Sequence, residues 1–366
     1  MRKLFISLLI LTIFSSLLLF TFSCNKEEND YLANIESLYL NSNGELKILT
    51  LADLHFMNNG SSEDANAMAR MRALITYTEP DFIVLLGDFV YSDLKMADTA
   101  KVIADELDTY EIPWTLVMGN HEATGVLSPF VTRTNSLKYK TEISAVLEAS
   151  EYAIYDRGQE DVDGYGNFII NVKNADDKVI DSLFFMDSGD YIKQEDIDKY
   201  DFLSQADLNE SGFIYPSQVS WYEESVKHIS DAVNEGNGVV PSLMFIHIPL
   251  AEYQTAWNLY TNNSEEATLI NGESKESIDV QGYNTGLFDK MVELGSTKAV
   301  FVGHDHANNF NVYYKGIQLN YNGGLRLIPY PYSDQIVSSM FGGRVITIKG
   351  DGTFTNNVLL YDSIKD

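Results

Sequence analysis

Apolar residues fall along this chain in short runs separated by longer stretches with helical spacing. Leu46 to Ala52 and Phe82 to Leu86 read as strands, and Met68 to Thr78 between them reads as a helix ended by Pro80. Further strands are expected at Trp114 to Met118, Leu183 to Met186, Leu243 to Ile246 and Ala299 to Val302. Ser217 to Asn234 predicts a helix with Tyr222, Val226, Ile229 and Val233 on one face. The alternation is that of βαβ units and an α/β fold.

Residues at the strand ends are more informative than the strands themselves. Asp53, Asp88, Asn120, His247 and His304 each stand just after an apolar run. In open α/β sheets ligands bind beyond the carboxyl ends of the strands, so segments distant in sequence can converge there. The polar groups are Asp53-Leu-His55, Gly87-Asp88, Gly119-Asn120-His121-Glu122, His247, and Gly303-His304-Asp305-His306. Oxygen and imidazole donors without a thiolate suit Zn, Fe or Mn, and this many donors suit two ions better than one. The chain has 6 His, and all but His228 lie at these strand ends. A single His on an apolar face is usually a hydrogen-bonded core residue, but five at successive strand ends are not explained that way. His228 lies off the apolar face of its predicted helix and reads as a surface residue.

Composition bounds the rest. With 366 residues, 45% hydrophobic and 12% aromatic, the chain has the makings of a packed core. No repeat, low-complexity tract or Pro/Gly-rich linker divides it, so residues 45–366 are expected to form a single domain. The net charge of -28 and the absence of any basic run argue against binding to a nucleic-acid backbone. Arg2-Lys3 followed by the apolar run Leu4 to Phe22 reads as an export signal. Cys24, the 1 cysteine of the chain, stands just after that run, as in the lipobox of a bacterial lipoprotein. Thr21 and Phe22 depart from the usual lipobox residues, which leaves an uncleaved membrane anchor and an ordinary cleaved signal as alternatives to lipidation at Cys24. All three export the domain. The expected layout is a leader at 1–24, a polar spacer at 25–44 and the domain beyond. It places the protein in a bacterial cell envelope, facing the periplasm or the exterior and held to the membrane by a lipid or an anchor.

Taken in order, Asp-x-His, Gly-Asp, Gly-Asn-His-Glu, His and Gly-His-x-His resemble the signature of the calcineurin-like metallophosphoesterases. Phe185-Met-Asp-Ser-Gly-Asp190, Gln218-Val-Ser-Trp221, His247-Ile-Pro-Leu250 and Gly303 to Asn308 extend the resemblance toward a purple-acid-phosphatase-like branch, over about residues 46–350. It implies two mixed β-sheets packed as a sandwich and flanked by helices. It also implies two metal ions, one on Asp53, His55, Asp88 and His306, the other on Asp88, Asn120, His247 and His304, with Asp88 bridging. A bridging hydroxide would attack phosphorus, and His121 would protonate the leaving oxygen or steady the transition state. Glu122, Asp305 and Asn308 would orient ligand imidazoles or carboxylates, with a structural or solvent-facing role as the alternative for each, while Asp187 belongs to a motif that is structural in the family. True purple acid phosphatases have Gly where this chain has His55, together with a Tyr ligand at the spacing of Tyr91. With His55 present, Tyr91 is expected to pack, and no purple colour is implied. The resemblance favours hydrolysis of a small phosphomonoester. A phosphodiesterase acting on nucleotides or lipid head groups is the enzymatic alternative, and a non-catalytic envelope lipoprotein that keeps the fold is the alternative outside enzymes. The polar stretch from Gln254 to Tyr283 comes soon after His247 and is a candidate rim for the substrate pocket.

Overall fold

Thirteen strands build two sheets in the computed structural model, which describes residues 32, 35–92, 95–124, 133–233, 238–326 and 339–364. The expected leader and Cys24 lie outside the described residues. In chain order the strands are β1 (Glu36–Tyr39), β2 (Glu45–Leu51), β3 (Phe82–Leu85), β4 (Trp114–Leu116), β5 (Phe168–Lys173), β6 (Val179–Phe185) and β7 (Ser242–Phe245). They continue with β8 (Ala267–Asn271), β9 (Thr297–Val302), β10 (Asn311–Tyr314), β11 (Ile317–Tyr321), β12 (Gly342–Lys349) and β13 (Phe354–Leu360). One sheet has the order β13-β12-β2-β3-β4 and the other β1-β5-β6-β7-β9-β11-β10-β8. Both are mixed: β2, β3 and β4 run parallel, as do β6, β7, β9 and β11, while β12 pairs antiparallel with β2, β5 with β6 and β10 with β11.

The two-residue period of the strands separates two cores in the five-stranded sheet. Leu49, Leu51, Ile83, Leu85, Trp114 and Leu116 pack with helices Ser62–Thr78, Met96–Asp108 and Arg133–Ala149. The alternate residues Ile48, Thr50, Phe82, Val84 and Ile346 are equally buried on the opposite face. There Thr50 Oγ1 lies 2.5 Å from Asn322 Oδ1, just past β11 of the other sheet. Arg344 of β12 crosses the same junction, giving hydrogen bonds to the carbonyls of Tyr321 and Asn309 and to the side chains of Asn271 and Asn356.

The expected α/β architecture of two mixed sheets with helices is present, with three local differences. Glu36–Tyr39, expected within the spacer, is a parallel edge strand on β5; its exposed polar residues with only Leu38 buried hide it from a hydropathy reading. The helix expected from Met68 begins at Ser62, where Ser61 Oγ accepts the Asp64 N–H and caps it. Gln254 to Tyr283 is not one loop, because it contains most of helix Ala251–Thr261 and all of β8.

Asp181 in β6 is buried, neither carboxylate oxygen has a well-formed hydrogen bond, and the adjacent Ser182 N–H is given to Pro241 O. Desolvation holds its carboxyl well above the ordinary range, with Ser182 and Lys298 offsetting this only in part. A raised carboxyl pKa penalises folding above the unfolded value of about 4 and not below it. Asp181→Asn should therefore raise stability at pH 7 by at least about 1 kcal/mol. Urea unfolding at pH 7 and pH 3.5 checks this, and the gain should vanish at the lower pH.

Candidate metal centre

The carboxyl ends of β2, β3 and β4 from one sheet and of β7 and β9 from the other meet at one edge, and their loops are sewn to one another. Asp53 N–H donates to Gly87 O, His55 N–H to Asp88 O and Gly303 N–H to His247 O. Asp53, His55, Asp88 and His304 all have left-handed backbones, with φ of 55°, 44°, 52° and 75°. For residues with a Cβ this conformation is strained, and such strain gathers at functional sites. Close approach explains two of the motif glycines. A Cβ on Gly87 would come within 2.6 Å of His247 Nδ1, and one on Gly119 would overlap Asp88 Oδ1.

All seven expected ligands come together. Asp53, His55 and His306 form one mutually close group, Asp88, His247 and His304 a second, and His55, Asp88 and His121 a third between them. His55 Nε2 and His306 Nε2 are 3.0 Å apart, and both face Asp53 Oδ1, at 3.7 and 3.5 Å. On the other side Asn120 Oδ1 lies 3.1 Å from both His247 Nε2 and His304 Nδ1, which are themselves 3.3 Å apart. Asp88 Oδ2 stands among these groups, 3.2 Å from His247 Nε2 and 3.7 Å from His55 Nε2. The carboxylate is thus placed where a bridge between two cations would sit.

The donor chemistry fits cations. Two pairs of imidazole nitrogens face each other, and a lone pair directed at another lone pair is unfavourable unless a proton or a metal lies between them. Asp53 is buried, and its Oδ2 has no hydrogen-bond partner. Desolvation, followed by repulsion from Asp88, raises its carboxyl well above the usual range. Burial would raise Asp88 too, but the charges of His247 and His121 outweigh it and hold that carboxyl low. Desolvation lowers His55, and it lowers His306 to about 3. For His247 and His304 desolvation is overcome by Asp88 and by Asp279 respectively, so both are raised. Neutral imidazoles at His55 and His306 are ready metal ligands.

Of the two roles open to the supporting residues, the contacts show the structural one. Glu122 receives the backbone N–H groups of Asp88, Phe89, Val90 and Gly119 at 2.7–2.9 Å, so it holds the loops that carry the ligands and not the ligand side chains. Burial, then Asp88, pushes its carboxyl up to about 7, against the pull of those donors. Asp305 accepts from Tyr321 Oη and the Asp279 N–H, and Asn308 Oδ1 accepts from Ser274 Oγ and the N–H groups of Lys275 and Glu276. These two residues fasten segment 272–283 instead of orienting an imidazole. Asp187 is in a buried ion pair with Lys140 at 2.6 Å, away from the ligands and beside a separate cavity. Tyr91 packs its ring edge-on against His121 and His55. His228 is half-buried on its helix and outside the cluster.

A cavity of about 330 Å³ opens over the cluster, walled by His121, Tyr191, Ser211 and Glu276 to Asp279. Part of the stretch expected to rim a pocket therefore lies there. Asp279, Glu276, Tyr191 and Ser211 had no motif to announce them, because each reaches the cavity from a loop without periodic pattern.

The family model for the calcineurin-like phosphoesterase matches residues 46–308. The chain is similar to "Probable inactive purple acid phosphatase 29" of Arabidopsis thaliana, 29% identical over 323 residues that cover 80% of this chain and 75% of that protein. It is also similar to "Phosphatase DCR2" of Saccharomyces cerevisiae, 29% identical over 73% of this chain and 45% of that one. Among solved structures it resembles a dimetal phosphatase from Danio rerio at 14% identity, with a TM-score of 0.46 over 86% of this chain and 99% of that one.

Replacing Glu122 by Gln turns an amide NH₂ toward two of the four N–H donors, so isosteric substitution leaves donors facing donors. Glu122→Gln should destabilise the protein by about 2–4 kcal/mol, measured by urea unfolding.

Proposed function

The chain belongs to the calcineurin-like phosphoesterase family and is a metal-dependent phosphoester hydrolase, and we propose that it cleaves small phosphomonoesters with two metal ions bound at the strand-end cluster. The observation that carries this reading is the convergence of Asp53, His55, Asp88, Asn120, His247, His304 and His306 beneath one cavity, with facing pairs of imidazole nitrogens.

Asp53, His55, Asp88 and His306 would hold one ion, and Asp88, Asn120, His247 and His304 the other. Bound there, Zn, Fe or Mn ions supply Lewis acidity toward the phosphoryl oxygens and acidify the attacking water. Asp53 and Asp88 are the only carboxylates in the set, so the occupied cluster keeps a net positive charge that draws a phosphate dianion into a protein of net charge -28. His121 lines the cavity with its Nε2 3.9 Å from Asp88 Oδ2, and Asp88 Oδ1 accepts its backbone N–H at 2.8 Å. From there its imidazole can give a proton to the departing alkoxide. The word phosphatase in the names of the Arabidopsis and yeast relatives supports the monoester preference. The word inactive in the first of those names makes turnover, and not binding alone, the decisive measurement.

With Mn, Zn or Fe loaded, hydrolysis of an aryl phosphomonoester should exceed that of the corresponding diester, and a chelator should abolish it. His121→Ala should lower kcat about 10²- to 10⁴-fold while metal content stays at the wild-type value. Activity that survives both chelation and His121→Ala would overturn the mechanism.

Export and a membrane tether are part of the same proposal, supported by the apolar run Leu4 to Phe22 ahead of Cys24. Metabolic labelling with a fatty acid should mark the protein in cells and be lost in Cys24→Ala.

A further inference from the structure

We propose that Asp279 is a positioning residue that fixes the tautomer and orientation of His304, and thereby sets the affinity of one of the two cation sites. The inference rests on the two-ion reading above and goes beyond it by naming what tunes one ion.

His304 turns its Nδ1 toward Asn120 Oδ1 and His247 Nε2, into the cluster, while its Nε2 lies 3.3 Å from Asp279 Oδ2 on the outside. A carboxylate only accepts, so the ring proton is drawn to Nε2 and the Nδ1 lone pair is left facing inward. His247 reaches the mirrored state through a main-chain partner, giving its Nδ1–H to Leu86 O at 2.7 Å and leaving Nε2 inward. The two imidazoles on this side thus have different controls. One is set by the backbone, the other by a side chain that is 62% exposed at the cavity wall.

Asp279 is delivered by segment 272–283, which is fastened on both flanks of the site. Lys275 N–H donates to Ala307 O, Glu276 accepts the Ala307 N–H, and Gln281 N–H donates to Pro249 O. The Asp279 N–H itself donates to Asp305 Oδ2 at 3.1 Å, next to the ring it orients. Ser211 Oγ lies 3.5 Å from both Asp279 oxygens and limits their rotation.

The test is calorimetric titration of metal-stripped full-length protein with Mn or Zn, with bound ions counted by atomic absorption and apo-protein melting followed in parallel. Wild type should bind two ions. Asp279→Ala should weaken one of them about 10- to 100-fold and leave the other and the apo melting temperature unchanged. Asp279→Asn, which keeps an acceptor oxygen, should lose less than Asp279→Ala. Wild-type affinity at both sites in Asp279→Ala would overturn the inference while the two-ion reading stood. Equal weakening of both ions with a lowered apo melting temperature would mark a merely structural role and overturn it too. A wild-type protein that binds no ion would overturn the two-ion reading itself and this inference with it.

Discussion

The Glu122 carboxylate, buried and accepting four backbone N–H groups, is the contact on which the ligand geometry rests. Asp88 must adopt a left-handed backbone to point its carboxylate between the two groups of histidines, and such a conformation costs about 1–3 kcal/mol. The strained turn also directs the amides of residues 88 to 90 inward, where no sheet partner can take them. Glu122 satisfies those amides together with that of Gly119, and so joins the loop after β3 to the loop after β4. Asp88 Oδ1 returns the link by accepting the His121 N–H. A short chain of acceptors inside a buried interior therefore holds these two loops to one another.

A second requirement is that both sheets present their carboxyl edges to the same place. The parallel strands β2, β3 and β4 supply Asp53, Asp88 and Asn120, while β7 and β9 supply His247 and the His304–His306 loop. Neither sheet alone carries either set of four ligands. The junction is kept by polar bonds as well as by apolar packing. Arg344, whose guanidinium is pulled down to about 9 by desolvation, gives all its described hydrogen bonds to carbonyl and amide oxygens. Arg326 braces the first loop, donating to His55 O and to Asp64 Oδ1. Rigid cross-links of this kind keep seven donors within a few ångströms while their mutual repulsion and strain push them apart.

The ligands are legible in the sequence because their chemistry and their topology coincide. Polar residues that interrupt apolar runs at strand ends stand out against the surrounding pattern, and five of the six histidines fall there. The strands at 46–52, 82–86, 114–118 and 299–302 are legible for the same reason, each being a near-continuous buried run. β1 is not, since an edge strand needs only one buried side chain to join a sheet and leaves no alternation long enough to read. The sequence left the parts played by Glu122, Asp305 and Asn308 open between two roles because residue type shows that a group can accept a hydrogen bond but not whose hydrogen it accepts.

Residue identity and order by themselves determined the donor set, the absence of thiolates from it, the α/β alternation and the family resemblance, because these arise from side-chain chemistry and from periodicities local to each segment. Tertiary structure alone decided that Glu122 clamps backbone and not ligand, and that Asp279 reaches His304 from 25 residues away in the chain. Those facts depend on which loops are brought within hydrogen-bond distance when two sheets close on one another. No local pattern encodes a contact whose two halves are ordered only by the packing of everything between them.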